Sequence, residues 1–372
     1  MLYRKQYRIV AIIAGMVLTA GMTACGAQKD TEQVESMESM VFESVNMPET
    51  GIEIDKEKTA AESGGEAAIE TITSRETENA AAQETQTTGV DKTPETEETL
   101  VQSEAPTVTA QSQPVEYTDL QQITLDPNWE YADHSKINSG AAVLYLASEE
   151  TGRKGIVIGV NAGHGTAGGS KVKTLCHPDG SAKTTGGSTA AGATEAAAVS
   201  GGMTFQDGTP ESTVTLRMAQ ILRDKLLTSG YDVLMLRDGE DVQLDNVART
   251  VICNNVADCH IALHWDSGDG KNYDKGCFYV SVPEALKSME PVASHWQQHD
   301  ALGADLVEGL RGQGATIYGK GSMSIDLTQT SYSTIPSVDM ELGNGYSDHS
   351  DAVLGKLAEG LLQGINVYFQ QQ

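Results

Sequence analysis

Gly155-Ile156-Val157-Ile158-Gly159-Val160-Asn161-Ala162-Gly163-His164-Gly165 is the stretch on which the fold turns. Its first six residues are mostly β-branched and bounded by glycine, too short a run for a helix, and so read as a buried strand over 155–160. Downstream, 166–208 is rich in Gly, Ser, Thr and Ala without periodicity. A loop of that length in a compact domain is usually functional or mobile, and a cleft wall, a lid and a surface decoration all suit it. Thr209-Pro210-Glu211 then opens a helix, with Thr209 at the N-cap, Pro210 at the first helical position, and Val214, Met218, Ile221, Leu222 and Leu226 at helical spacing. Ser229-Gly230 stops it. Further signals alternate: strand 231–236, helix 242–254, strands 259–264 and 278–282, helix 292–310, strand 337–342 and helix 351–369. Such alternation predicts an α/β fold, a single three-layer domain with a mainly parallel sheet flanked by helices on both faces. Upstream, Trp129, Tyr131 and the apolar run 141–147 place the start of this domain near residue 116.

In sheets of this kind, sites form beyond the carboxyl ends of the strands. His164 follows one strand, His264 ends another, Glu341 lies at the end of a third, and Glu211 sits in the first turn of the helix fed by the long loop. Two histidines and one carboxylate are a recurrent ligand set for catalytic zinc, which keeps its fourth position for water. That water's pKa falls to about 7 on the metal, giving a nucleophile at neutral pH. His164, Glu211 and His264 are thus the expected ligands of one zinc ion, and Glu341 the expected carrier of protons. Each residue also has a blander reading: Glu211 as a first-turn acid favoured by the helix dipole, His164 as a turn residue, His264 as a strand-end imidazole, Glu341 as a solvated acid. Their joint placement is what favours the site.

The same positions carry a family resemblance. Gly163-His164-Gly165, the helix-opening Glu211, Arg237-Asp238, Arg249, Ala262-Leu263-His264 and Val338-Asp339-Met340-Glu341-Leu342-Gly343 resemble, in order, the motifs of the zinc-dependent N-acetylmuramoyl-L-alanine amidases. The resemblance spans 155–369. It implies that 116–372 is a catalytic domain with His164, Glu211 and His264 on zinc and Glu341 as catalytic acid–base. The implied substrate is peptidoglycan, cut at the amide between N-acetylmuramic acid and L-alanine, and 166–208 would then wall or cover the glycan-peptide cleft. Two departures adjoin the ligands. Asn161-Ala162 stand where the family usually has Asp-Pro, and Trp265-Asp266 replace a small residue and Asn. They put the support of the ligands in question more than the ligands themselves. A peptidoglycan-binding or regulatory protein of the same fold that has lost turnover is therefore the second reading. A zinc peptidase acting on another amide is the third.

The amino-terminal region fits an extracytoplasmic role. Arg4, Lys5 and Arg8 precede an apolar stretch over 9–18 and small residues before Cys25, the pattern of a secretory signal. The stretch is shorter than the roughly 20 apolar residues a membrane-spanning helix needs. Residues 18–25 also resemble a bacterial lipobox, with Met22 where Leu is usual, implying a lipoprotein signal peptide over 1–24 and a lipid anchor on Cys25; a simple cleaved signal is the alternative. Residues 25–115 are Glu-, Thr- and Ala-rich and poor in aromatics, a composition that predicts a disordered acidic tether. A neutral coil of ~90 residues would span about 50 Å, and like charges extend it.

The net charge of −27 over 372 residues argues against nucleic-acid binding. Cys176, Cys253, Cys259 and Cys277 match no zinc ribbon or redox motif, and they read as small buried residues. His295 and His299 stand at i and i+4 on a predicted helix, a chelating spacing, but no Glu completes a zinc-protease pattern. His177 and His349 are loop histidines near the site in sequence, and His260 shares a strand face with His264 at its opposite end.

Overall fold

The computed structural model describes residues 120–267 and 270–370. The expected signal peptide over 1–24, the Cys25 anchor and the tether over 25–115 lie outside them.

In chain order the elements are β1 (Leu120–Ile123), β2 (Ala142–Tyr145), β3 (Val157–Ala162), β4 (Lys173–Leu175), β5 (Glu195–Ala197), α1 (Glu211–Thr228), β6 (Asp232–Met235), α2 (Asn246–Val256), β7 (Cys259–Asp266), β8 (Cys277–Ser281), α3 (Val292–Gly312), β9 (Ile317–Ser324), α4 (Thr328–Tyr332), β10 (Ser337–Asn344) and α5 (Asp351–Gln370). One sheet runs β1-β2-β6-β3-β7-β10-β8-β9, and β4 pairs with β5 apart from it. The centre, β6-β3-β7-β10, is parallel, as is the β8–β9 pair. β1–β2, β2–β6 and β10–β8 are antiparallel. The sheet is therefore mixed, with the expected parallel pairing at its centre and antiparallel pairs on either side of it. One cause is visible between β7 and β8: only ten residues, 267–276, link them, fewer than a parallel crossover needs, and β8 comes back antiparallel beside β10.

Strand β6 shows why both faces are covered. Val233 and Met235 enter the core shared with Leu222 and Leu226 of α1, Leu306 of α3 and Leu361 of α5. Leu234 points the other way, toward Ala248 and Ile252 of α2. Each such side chain contributes roughly 1.5–3 kcal/mol by leaving water, and Leu234→Ala should cost about 2–5 kcal/mol. Helices α3 and α5 cross closely, since a Cβ on Gly309 would stand 2.1 Å from the Gly360 carbonyl oxygen. Among the described residues no helix is long and apolar enough to cross a membrane.

Boundaries differ from the sequence reading where a cap intervenes. The helix read as 242–254 begins at Asn246, because the Asp245 carboxylate accepts the Ala248 N–H at 2.8 Å and ends the preceding extended segment. Pro210, not Thr209, is the N-cap of α1. The Glu211 N–H is taken by the Met203 carbonyl at 3.0 Å, so the incoming loop satisfies a donor the helix leaves free.

The 166–208 segment is tied down rather than open. His177 Nε2 lies 2.9 Å from Asp326 Oδ1, the Thr184 N–H and hydroxyl donate to Asp326 Oδ2, and Lys183 Nζ donates to the Asp326 carbonyl. His177 and Asp326 are fully buried and Lys183 nearly so. The middle of the segment, 177–184, is thereby fastened to the connection between β9 and α4.

Candidate metal centre and active site

A turn, a helix start and a strand end at the carboxyl edge of the sheet build the site. After β3 the chain enters Gly163-His164-Gly165, and His164 takes the left-handed conformation, φ 63°. A non-glycine residue there costs about 1–2 kcal/mol unless its surroundings impose it. They do so through two buried arginines. Arg249 donates to the carbonyls of Ala162 at 3.1 Å and His164 at 2.7 Å, and to the Thr166 hydroxyl at 2.9 Å. Arg237 donates to the carbonyls of Ala162 and Gly163, at 3.2 and 2.9 Å. Burial lowers both guanidinium groups, Arg237 to about 10 and Arg249 to about 9, which leaves them charged at neutral pH. Asn161 serves the same clamp, its side-chain oxygen accepting from Arg249 at 3.0 Å.

The tail of the long segment supplies the next contacts. His164 Nδ1 lies 2.9 Å from the Ser200 carbonyl. A carbonyl only accepts, so Nδ1 carries the proton and the Nε2 lone pair faces inward. Glu211 is 2 % exposed. Its Oε2 accepts the Met203 N–H at 2.8 Å, and its Oε1 the Trp265 N–H at 3.0 Å. Gly202, at φ 82°, allows the close fit: a Cβ there would stand 2.8 Å from His164 Cδ2 and 2.9 Å from Glu211 Oε2. Trp265 itself points away from the ligands into the core and meets Phe205 edge-on, centroids 5.9 Å apart.

His264 ends the triangle. Its Nδ1 is 3.1 Å from both His164 Nε2 and Glu211 Oε1, and the third edge is 2.9 Å. A Cβ on Gly163 would lie 2.2 Å from the His264 ring, so the ring rests on bare backbone. Two ring nitrogens and a carboxylate converging this closely could hold a metal ion between them. Donors about 2.1 Å from one zinc at tetrahedral angles stand about 3.4 Å apart, within a few tenths of an ångström of what is seen. Among the described residues this is the one group of three or more such side chains able to share an ion. Burial would lower His264, but Asp339 and Glu211 outweigh it and raise it to about 10. Burial would raise Glu211, but the two histidines hold it well below the ordinary carboxylate range.

Glu341 stands beside His264, paired with it in the β7–β10 register. Its Oε2 is buried without a partner, and burial, reinforced by Asp339, pushes its pKa well up. Asp339, two residues earlier on the same face, places Oδ2 3.8 Å from His264 Nε2. Its own pKa is raised by burial. Asp266 is paired with Lys275.

The other candidates lie elsewhere. His177 is locked into the Asp326 knot. His349 pairs with Asp207 at 3.2 Å and packs on Phe205 in a cleft of about 530 Å³ that Tyr346 and Asp348 also line. His299 accepts the Ser337 N–H at 3.0 Å, and its ring centroid is 6.4 Å from that of His295, without a third ligand. His260 is fully buried toward the start of β7. Cys176, Cys253, Cys259 and Cys277 are buried and free. Sequence reasoning missed Ser200, Gly202 and Met203, which serve the site mainly through backbone; the Ser200 hydroxyl also lies 3.1 Å from His164 Nδ1. It also passed over Asp339, whose signal was an acid inside an apolar run on the face of Glu341.

The sequence profile of the N-acetylmuramoyl-L-alanine amidase family matches residues 158–359, just over half of the 372 residues. The chain belongs to that family of cell-wall hydrolases. Solved structures similar to it include the N-acetylmuramyl-L-alanine amidase Ami1 of Mycobacterium smegmatis, at 18 % identity over 59 % of this chain and 98 % of that one, TM-score 0.49. Ami1 of Mycobacterium abscessus is 22 % identical over 58 % and 99 %, TM-score 0.46. AmiC2 of Nostoc punctiforme is 17 % identical over 59 % and 99 %, TM-score 0.43. No curated protein matches the chain.

Proposed function

We propose that the domain is a zinc-dependent N-acetylmuramoyl-L-alanine amidase that hydrolyses the amide between the lactyl group of N-acetylmuramic acid and L-alanine in peptidoglycan. His164, Glu211 and His264 hold the metal. A zinc ion bound there supplies Lewis-acid polarisation of the scissile carbonyl and acidifies water. The observation that carries the reading is the triangle of ligand atoms with edges of 2.9–3.1 Å beside a carboxylate, Glu341, with an unpartnered oxygen.

Glu341 is the acid–base. Its carboxylate takes a proton from the water that attacks the carbonyl carbon, then delivers it to the amide nitrogen as the C–N bond breaks, leaving a lactyl carboxylic acid and a free alanine amine. Its raised proton affinity suits the second half of that exchange. Arg237 and Arg249 hold the His164 turn, and the 200–203 backbone orients His164 and Glu211. The departures from the usual family pattern do not displace a ligand: Asn161 keeps its contact to Arg249, and Trp265 turns its ring into the core.

The same reading assigns 1–24 as a lipoprotein signal peptide, Cys25 as the lipid anchor, 25–115 as the tether and 116–372 as the catalytic domain, held on the cell membrane and facing the wall. The test is to incubate purified protein with peptidoglycan, with and without a chelator, and analyse the fragments. Stem peptides with free L-alanine amino termini should appear only when metal is present. Metal-loaded protein that binds the wall and releases no peptide would overturn the reading in favour of a binding or regulatory role.

A further inference from the structure

We infer that Asp339 is a positioning residue for His264, its carboxylate taking the Nε2–H of the ring and thereby aiming Nδ1 at the metal. The inference rests on the zinc reading above and concerns a residue to which that reading gives no role.

The argument begins with the two nitrogens of His264. Nδ1 sits in the ligand triangle, 3.1 Å from both of its neighbours, so in the neutral ring the proton resides on Nε2 and needs an acceptor. Asp339 Oδ2 faces that nitrogen at 3.8 Å. This is long for a direct hydrogen bond, and such contacts in metal-free sites are commonly long and tighten in the loaded state. Ligating histidines almost always hand their second nitrogen to a carboxylate, carbonyl or water, which fixes tautomer and ring orientation. His164 has that partner in the Ser200 carbonyl. His264 has Asp339.

A second observation separates this from a structural role. Asp339 is 8 % exposed and its Oδ1 has no partner. Among the described residues no lysine or arginine pairs with it. Its strand neighbours Val338, Met340 and Leu342 are core residues. A carboxylate buried this way destabilises a fold unless something else requires it, and the ring of His264 is what it faces.

The experiment compares wild type, Asp339→Asn and Asp339→Leu in three measurements: zinc affinity by competition with a chromophoric chelator, melting temperature of the metal-free protein, and ¹⁵N resonances of the His264 ring in the loaded protein. The Leu variant should bind zinc 10–100-fold more weakly, and the Asn variant, which keeps an acceptor oxygen, should recover part of the loss. The metal-free Leu variant should melt no lower than wild type, and the His264 Nε2 resonance should shift in the loaded variants. Unchanged zinc affinity in the Leu variant, or a loss paralleled by a lower metal-free melting temperature, would overturn the inference. Wild-type protein that takes up no zinc would overturn the metal reading, and this inference with it.

Discussion

Around His164 and Glu211 the ligands' polar atoms are occupied. Each oxygen of Glu211 accepts a backbone N–H, His164 has a carbonyl behind it, and two buried arginines hold the turn that carries it. Across the His264 ring, on β10, the situation reverses: Glu341 Oε2 and Asp339 Oδ1 are both buried without partners. Satisfied groups are fixed before the ion arrives, whereas a carboxylate that must take up and release a proton is better left without competing donors. The difference teaches where rigidity is needed and where reactivity is.

The sharpest way to break the comparison is to remove one group from the open side. Glu341→Ala should lower kcat by at least 10²–10⁴-fold while zinc affinity stays within about twofold, measured by turnover of a muropeptide and by chelator competition. Retained activity would refute the role given to Glu341. On the fastened side the large effect should fall on stability. Asp326→Ala strands His177 and Lys183 in the interior, and should cost about 3–5 kcal/mol in a denaturant titration. Because 200–203 hangs from the same segment, zinc affinity should fall with it.

How much of this was legible follows from the physics of each part. The alternation over 155–369 shows because buried central strands such as β3 and β6 are largely apolar on both faces and the helices have clear stops. The strands missed lie at or next to the rim: β1 is mostly exposed, β2 shows in the sequence only as an apolar run over 141–147, and β9 is interrupted by Gly319 and Gly321 and largely solvent-facing. β4 and β5 are three residues each, and α4 is five, below the length at which periodicity can appear. Within the site, His164, Glu211, His264 and Glu341 are visible because chemistry-bearing side chains sit at element ends. Met203 acts through its backbone N–H, which almost any residue possesses, and Ser200 through its carbonyl together with a hydroxyl 3.1 Å from His164 Nδ1, one of many serines in the segment.

Smaller effects probe the fit. Gly202→Ala adds a Cβ at φ 82° within 2.8 Å of His164, and zinc affinity should drop about tenfold or more; an unchanged dissociation constant would show that this loop does not set the ligand geometry. Away from the site, burial lowers His260 and His299 to about 3 each, against about 6.5 in the unfolded chain. Their folded pKa values are depressed, so stability should be whole above pH 6.5 and fall as pH drops toward 3, by up to about 1.4 kcal/mol per pH unit for each ring. His260→Leu should make that acid slope shallower by about one proton, read from denaturant titrations between pH 4 and 7.

Zinc K-edge X-ray absorption on stoichiometrically loaded protein tests the central claim most directly. The account predicts one zinc per chain, with two imidazole nitrogens and a carboxylate oxygen among its nearest neighbours and no sulfur, since the four cysteines of the domain are buried and free. A sulfur shell, or protein that takes up no stoichiometric zinc, would contradict it.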